Sequence, residues 1–133
     1  MNQLLILVGN VGKDPEMKYT PSGQAVTSFS MATTHQYTNA GGERVKETTW
    51  FRVSVWGKSA EAVNQYVKKG SKVYVEGRLA ADKATGGPKV WTKQDGTPSA
   101  SFDVTASTVK FLDSAKVGQN EQAAQVDESE FPF

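Results

Sequence analysis

Thr48–Trp56 reads TTWFRVSVW, and the alternation across it marks a strand whose two faces differ in chemistry. Successive side chains of a strand point to opposite sides. Phe51, Val53 and Val55 make an ordinary core face, while Trp50, Arg52, Ser54 and Trp56 share the other. Two indoles around a guanidinium, fixed on a pleated platform, offer flat π faces and a positive charge, which unstacked bases and their phosphates need. The competing reading buries both faces, with the tryptophans under a helix or against another subunit. Arg52 weighs against it, because an unpaired buried guanidinium is costly.

Upstream, Leu4–Val8 is a continuous apolar run, read as a strand buried on both faces, and it ends in Gly9-Asn10 and a turn-rich segment through Asp14-Pro15. Ala25–Thr34 is a second strand rich in β-branched residues. A polar loop, Gln36–Lys46 with Gly41-Gly42, leads into the tryptophan strand. Downstream, Ser59–Lys69 is the one helix: Ser59 is placed to cap it, Ala60, Val63 and Val67 share a face, and Gly70 closes it. Lys72–Leu79 alternates again, with Val73, Val75 and Leu79 on the core side. Gly86-Gly87-Pro88 and Asp95-Gly96 bracket a protruding hairpin around Trp91, and Ser101–Leu112 is the last strand region. Short strands with a single helix after the third describe an all-β chain with one helix: a five-stranded OB-fold barrel with protruding hairpins, a type that binds oligonucleotides or oligosaccharides across one face.

Length allows one domain, residues 1–112, with a real hydrophobic core. No apolar run approaches the ~20 residues of a membrane span, and the N-terminal residues do not read as a signal peptide. Without cysteine there are no disulfides or thiolate metal sites, and a cytoplasmic location is the expectation. The formal net charge of +1 hides an asymmetry. Residues 1–112 hold fourteen bases against nine acids, whereas residues 113–133 hold five acids against one base. A basic barrel with an acidic tail fits a polyanion binder carrying a separate recognition segment. Residues 113–126 have little to bury and read as a disordered linker.

Two more features point the same way. Trp91 and Tyr37 fall in expected loops among bases: Lys89 and Lys93 flank the first, and Arg44 and Lys46 follow the second. Such interleaving suits single-strand stacking; the plain alternative folds Trp91 back on its own hairpin, and for Tyr37 the structural and functional readings stand level. The chain closes on DESEFPF, where Asp127, Glu128, Ser129 and Glu130 precede Phe131, Pro132 and Phe133. Acids followed by two phenylalanines and a rigid proline form a docking peptide for an apolar pocket rimmed by bases.

The stretches LILVGNVGKDPEMKYTPSG, TTWFRVSVWGKSAE and YVKKGSKVYVEGRL, with the acidic tip, resemble the bacterial single-stranded DNA-binding proteins over the whole expected barrel and the last seven residues. The resemblance implies an OB barrel assembled as a homotetramer, nucleoid-associated, that coats single strands in replication, recombination and repair and recruits partner proteins through the tip 127–133. It implies base stacking by Trp50, Trp56 and Trp91, with Tyr37 and Tyr19 at further aromatic positions, and basic contacts from Arg52, Lys58, Lys68 and Lys69. There are departures. Tyr37 stands where a tryptophan is often found and the loop after it is short, the segment around Trp91 is long, the linker is short, and the tip reads EFPF where a run of aspartates before one Pro-Phe pair is commoner.

Other signals carry less. Gly9–Lys13 has two glycines and a lysine but lacks the spacing and the Ser or Thr of a phosphate loop, so a turn explains it. His35 is the only histidine and has no companion ligand. No catalytic set, metal site or cofactor motif stands out, so a non-enzymatic single-stranded DNA binder is expected. A single-stranded RNA binder or an OB-fold replisome or primosome adaptor is the alternative.

Overall fold

The computed structural model describes residues 2–112; the linker 113–126 and the tip 127–133 lie outside the described residues. The elements are β1 (Leu5–Val11), β2 (Glu16–Tyr19), β3 (Ala25–Thr38), β4 (Arg44–Trp56), α1 (Lys58–Tyr66), β5 (Lys72–Leu79), β6 (Lys89–Thr92) and β7 (Pro98–Phe111). Strands pair in the order β1-β5-β7-β4-β3, and β1 returns to β3 at Asn10 and Val11, which closes a five-stranded barrel of the OB type. β2 is an extra strand on β3, and β6 pairs only with β7.

Closure requires β1 to cross β3 closely. A Cβ on Gly9 would lie 2.0 Å from the carbonyl oxygen of Ala32, so only glycine fits. Gly77 does the same between β5 and β7, 2.2 Å from the Thr105 carbonyl oxygen, at the bulge that bends β5. Inside, Leu7, Val11, Phe29, Met31, Val53, Val55, Val73, Val75 and Val104 form the core. The helix closes one end with Ala60 and Val63, and Val67 follows them in. Thr27 is the buried polar residue of this core, and its hydroxyl donates to the Ala60 carbonyl at 2.6 Å, joining β3 to the helix.

Several sequence expectations need revision. The helix runs Lys58–Tyr66, with Gly57 at its N-cap and no side-chain cap, so Ser59 caps nothing. Val67 leaves the helix in extended conformation because its side chain is drawn into the core, and Gly70 instead turns the chain at φ +90°, its N–H bonded to the Val11 carbonyl at 2.8 Å. The β1 run is buried on one face only, since Ile6 and Val8 point outward and about half exposed. Leu79 is exposed at the end of β5. The loop before the tryptophan strand shrinks to residues 39–43, tied by Asn39 Oδ1 to the N–H groups of Gly41 and Glu43. β3 and β4 therefore continue past the barrel as a two-stranded arm, which puts Tyr37 on a strand.

Candidate nucleic-acid interface

Strand register settles which side chains share a face. Across β3 and β4, Trp50 stands opposite Ala32, Arg52 opposite Ser30, Ser54 opposite Ser28 and Trp56 opposite Val26. The cross-strand partners of this face on β3 are thus an alanine, two serines and a valine, none of them larger than valine. In the parallel β4–β7 ladder Arg52 pairs with Asp103 and Ser54 with Thr105. β7 continues the same face through Ser101 and Ser99 to β6, where they oppose Lys89 and Trp91. Trp50, Arg52, Trp56 and Trp91 therefore lie on one continuous sheet face, the side opposite Val53, Val55 and Val104. Along β4, Trp50 and Trp56 are separated by ~20 Å at about 3.3 Å per residue.

β4 pairs with β7 only from Phe51 to Val55, so the β3–β4 arm and the β6–β7 hairpin separate beyond that point. The gap is an open cleft of about 940 Å³ lined by Trp50, Arg52, Trp91, Lys13, Lys93 and Phe102, among others. Phe102 and Phe51 pair at 5.8 Å between ring centres, and Phe102 is largely exposed. A smaller notch of about 150 Å³ continues past Arg52, bordered by Lys13, Asp14, Glu16, Ser28 and Ser30. Asp14 accepts the Lys69 N–H at 2.8 Å, which brings the exposed Lys68-Lys69 turn beside the Lys13 loop. Lys58 opens the helix two residues after Trp56 and is exposed. Bases therefore continue from the cleft toward the helix end of the barrel.

The β6–β7 hairpin is held by its tip. Thr97 gives its N–H and hydroxyl to Asp95 Oδ1 at 3.0 and 2.6 Å, which holds the carboxyl below its ordinary pKa. At its base, Asp103 accepts from the Ser101 hydroxyl and lies 4.0 Å from Lys89 Nζ.

Two of the expected aromatics, Tyr37 and Tyr19, stand out of the row that carries Trp50 and Trp56. Tyr37 shares a face with Phe51, not Trp50, and stacks on His35 at 5.6 Å, its hydroxyl bound to Glu47. That bond, with the negative charge of Glu47, raises the phenol pKa. Tyr19 pairs with Ala25 on the core side of β3, whereas Lys18 pairs with Val26 and so stands in the row of Trp56. Lys13 and Phe102, which line the cleft, and Lys18, in the row of Trp56, are the residues that reading the sequence missed. The alternation of β7 could have flagged Phe102, since it falls in phase with core Val104 at the mouth of the barrel.

Comparison with known proteins agrees with this geometry. The single-strand binding protein family model matches residues 1–112. The chain belongs to that family. Similar family members include a single-stranded DNA-binding protein of Neisseria meningitidis, 38% identical over 90% of this chain and 62% of its own length. One from Xanthomonas axonopodis is 44% identical over 81% of this chain and 56% of its own. The chain thus spans about three fifths of the length of these curated relatives. Among solved structures, a deletion mutant of the single-stranded DNA binding protein from Thermus aquaticus superposes with a TM-score of 0.65 at 26% identity, covering 84% of this chain and 51% of that one. A small single-stranded DNA-binding protein from Streptomyces coelicolor shares the fold, with a TM-score of 0.68 at 24% identity over 87% of this chain and 99% of that one.

Proposed function

We propose that this chain binds single-stranded DNA with little sequence preference and without catalysis. The observation that carries the reading is the register that sets Trp50, Trp56 and Trp91 on one face around Arg52. Each base has a π face, so stacking is sequence-tolerant and contributes about 1–3 kcal/mol per base. Arg52, Lys13, Lys89 and Lys93 add the phosphate term. Phe102 gives the cleft a further aromatic surface, and Lys58, Lys68 and Lys69 extend the path along the barrel.

The same reading includes assembly into a homotetramer. Ile6 and Val8 expose apolar surface on the outer face of β1, and β1 pairs on its second edge only at Asn10 and Val11. An apolar strand with a free edge suits pairing with another copy. Tyr74, hydrogen-bonded to Glu76 at 2.6 Å, borders that outer face opposite Val8. The tip Asp127–Phe133 serves as the docking peptide for replication, recombination and repair proteins, on the strength of its acids and phenylalanines.

The test is equilibrium binding of a labelled oligo(dT), an oligo(U) of equal length and a duplex, to the native protein and to the Trp50→Ala and Trp91→Ala variants. Tight binding of oligo(dT), with a loss of about 1–3 kcal/mol in each variant, supports the reading. Preference for oligo(U) points to an RNA protein, and no binding of any strand by a folded protein points to an adaptor.

A further inference from the structure

We infer that Gly12 is the seat of the Trp50 indole, a positioning residue that fixes where the ring stands in the cleft. The inference rests on the reading that Trp50 stacks on bases. A Cβ on Gly12 would lie 2.5 Å from Trp50 Cζ3, 2.9 Å from Cη2 and 3.7 Å from Cε3. The three nearest atoms all belong to one ring. This sets Gly12 apart from Gly9 and Gly77, whose missing Cβ atoms would strike backbone carbonyls of neighbouring strands. Those two glycines serve the barrel; Gly12 serves a side chain.

The path of the ring is cleared twice. Trp50 lies opposite Ala32 across the β3–β4 ladder, and Asn10 pairs with Ala32 from the other side. The indole thus crosses a small residue on β3 to reach the end of β1. Ala32 is buried although it faces away from the core, as a ring lying across it requires. The Gly12 backbone is itself anchored, its N–H donating to the Ser30 carbonyl at 2.8 Å. Ser30 stands opposite Arg52, and Lys13, the next residue, lines the same cleft. One backbone segment therefore fixes the ring and presents a base beside the guanidinium. A ring held in place before the strand arrives loses less freedom on stacking. The Gly-Asn-Val-Gly stretch, which lacks the spacing of a phosphate loop, acquires a purpose: its first glycine closes the barrel and its second seats the platform.

The experiment is a double-mutant cycle of Gly12→Ala and Trp50→Leu, read by oligo(dT) affinity, with a parallel set carrying Trp56→Phe and Trp91→Phe so that Trp50 alone emits. Gly12→Ala should weaken oligo(dT) binding about tenfold, within the range that losing one stacked base produces. It should also shift the Trp50 emission maximum and raise its quenching by acrylamide. With leucine at position 50, adding Gly12→Ala should change affinity less than twofold, because the obstructing ring is gone. An equal loss in both backgrounds, or an unshifted Trp50 emission, overturns the inference. If Gly12→Ala alone does not fold, the double variant should fold, and its failure to do so would also overturn it. If Trp50→Leu binds oligo(dT) as the native protein does, the stacking reading falls, while the emission shift still decides whether Gly12 seats the ring.

Discussion

Arg52 and Asp103 stand opposite one another in the parallel β4–β7 ladder, on the face that carries both β4 tryptophans. An acid beside the central guanidinium opposes the approach of phosphate. Asp103 makes its ion pair with Lys89, and opposite charges in water attract by only about 1 kcal/mol even at 4 Å, so Asp103 tempers Arg52 without cancelling it. Asp103→Asn should raise oligo(dT) affinity about threefold at low salt, and the gain should vanish at high salt as screening shortens. Binding isotherms at two ionic strengths read this; lower affinity at low salt would show that Asp103 matters chiefly as the partner of Ser101 and Lys89.

Tyr37 is separated from the tryptophan face, and its phenol is held above its ordinary pKa first by the hydrogen bond to Glu47 and then by that carboxylate's charge. The sign follows from linkage: a raised folded pKa gives a contribution present below pH 10 and lost as pH rises through the raised value. Absorbance at 295 nm should therefore show a late-titrating tyrosine that reverts toward pH 10 in Glu47→Gln. Tyr37→Ala should weaken oligo(dT) binding by no more than about twofold, well short of the loss expected for a stacked base.

Thr27 ties the helix to the barrel through its 2.6 Å bond to the Ala60 carbonyl. Thr27→Val keeps the volume and removes the donor, which should cost about 1 kcal/mol of stability. Urea unfolding would show a lower midpoint with an unchanged slope, and DNA affinity should stay within error, since Thr27 points away from the tryptophan face.

Much of the site was legible because β4 alternates cleanly within the barrel, where Val53 and Val55 must face the core. Beyond Thr48 that signal fades. The arm has solvent on both sides, so Gln36–Thr38 and Arg44–Lys46 show no apolar alternation and read as loop, although they pair throughout. β2 was missed for the same reason, with polar Glu16 and Lys18 on an edge strand. The helix end misled because Val67 keeps the helical spacing of Ala60 and Val63 while entering the core from an extended segment. Faces across strands need register, and register is what separates Lys18 from Tyr19.

Removing Asp127–Phe133, which carries the acids Asp127, Glu128 and Glu130, should leave oligo(dT) affinity unchanged or slightly raised, because an acidic segment would compete with the strand for a basic face. Pull-downs of the native and truncated proteins against purified replication and repair factors check the other half. Retention of every partner by the truncated protein would refute the docking role of the tip.

The most direct test is tryptophan fluorescence titrated with oligo(dT) at increasing salt. The account predicts strong quenching that saturates at a fixed nucleotide count and an affinity that falls with salt, with a slope of about −0.7 per phosphate neutralised. A folded protein that shows neither quenching nor binding at low salt would contradict it.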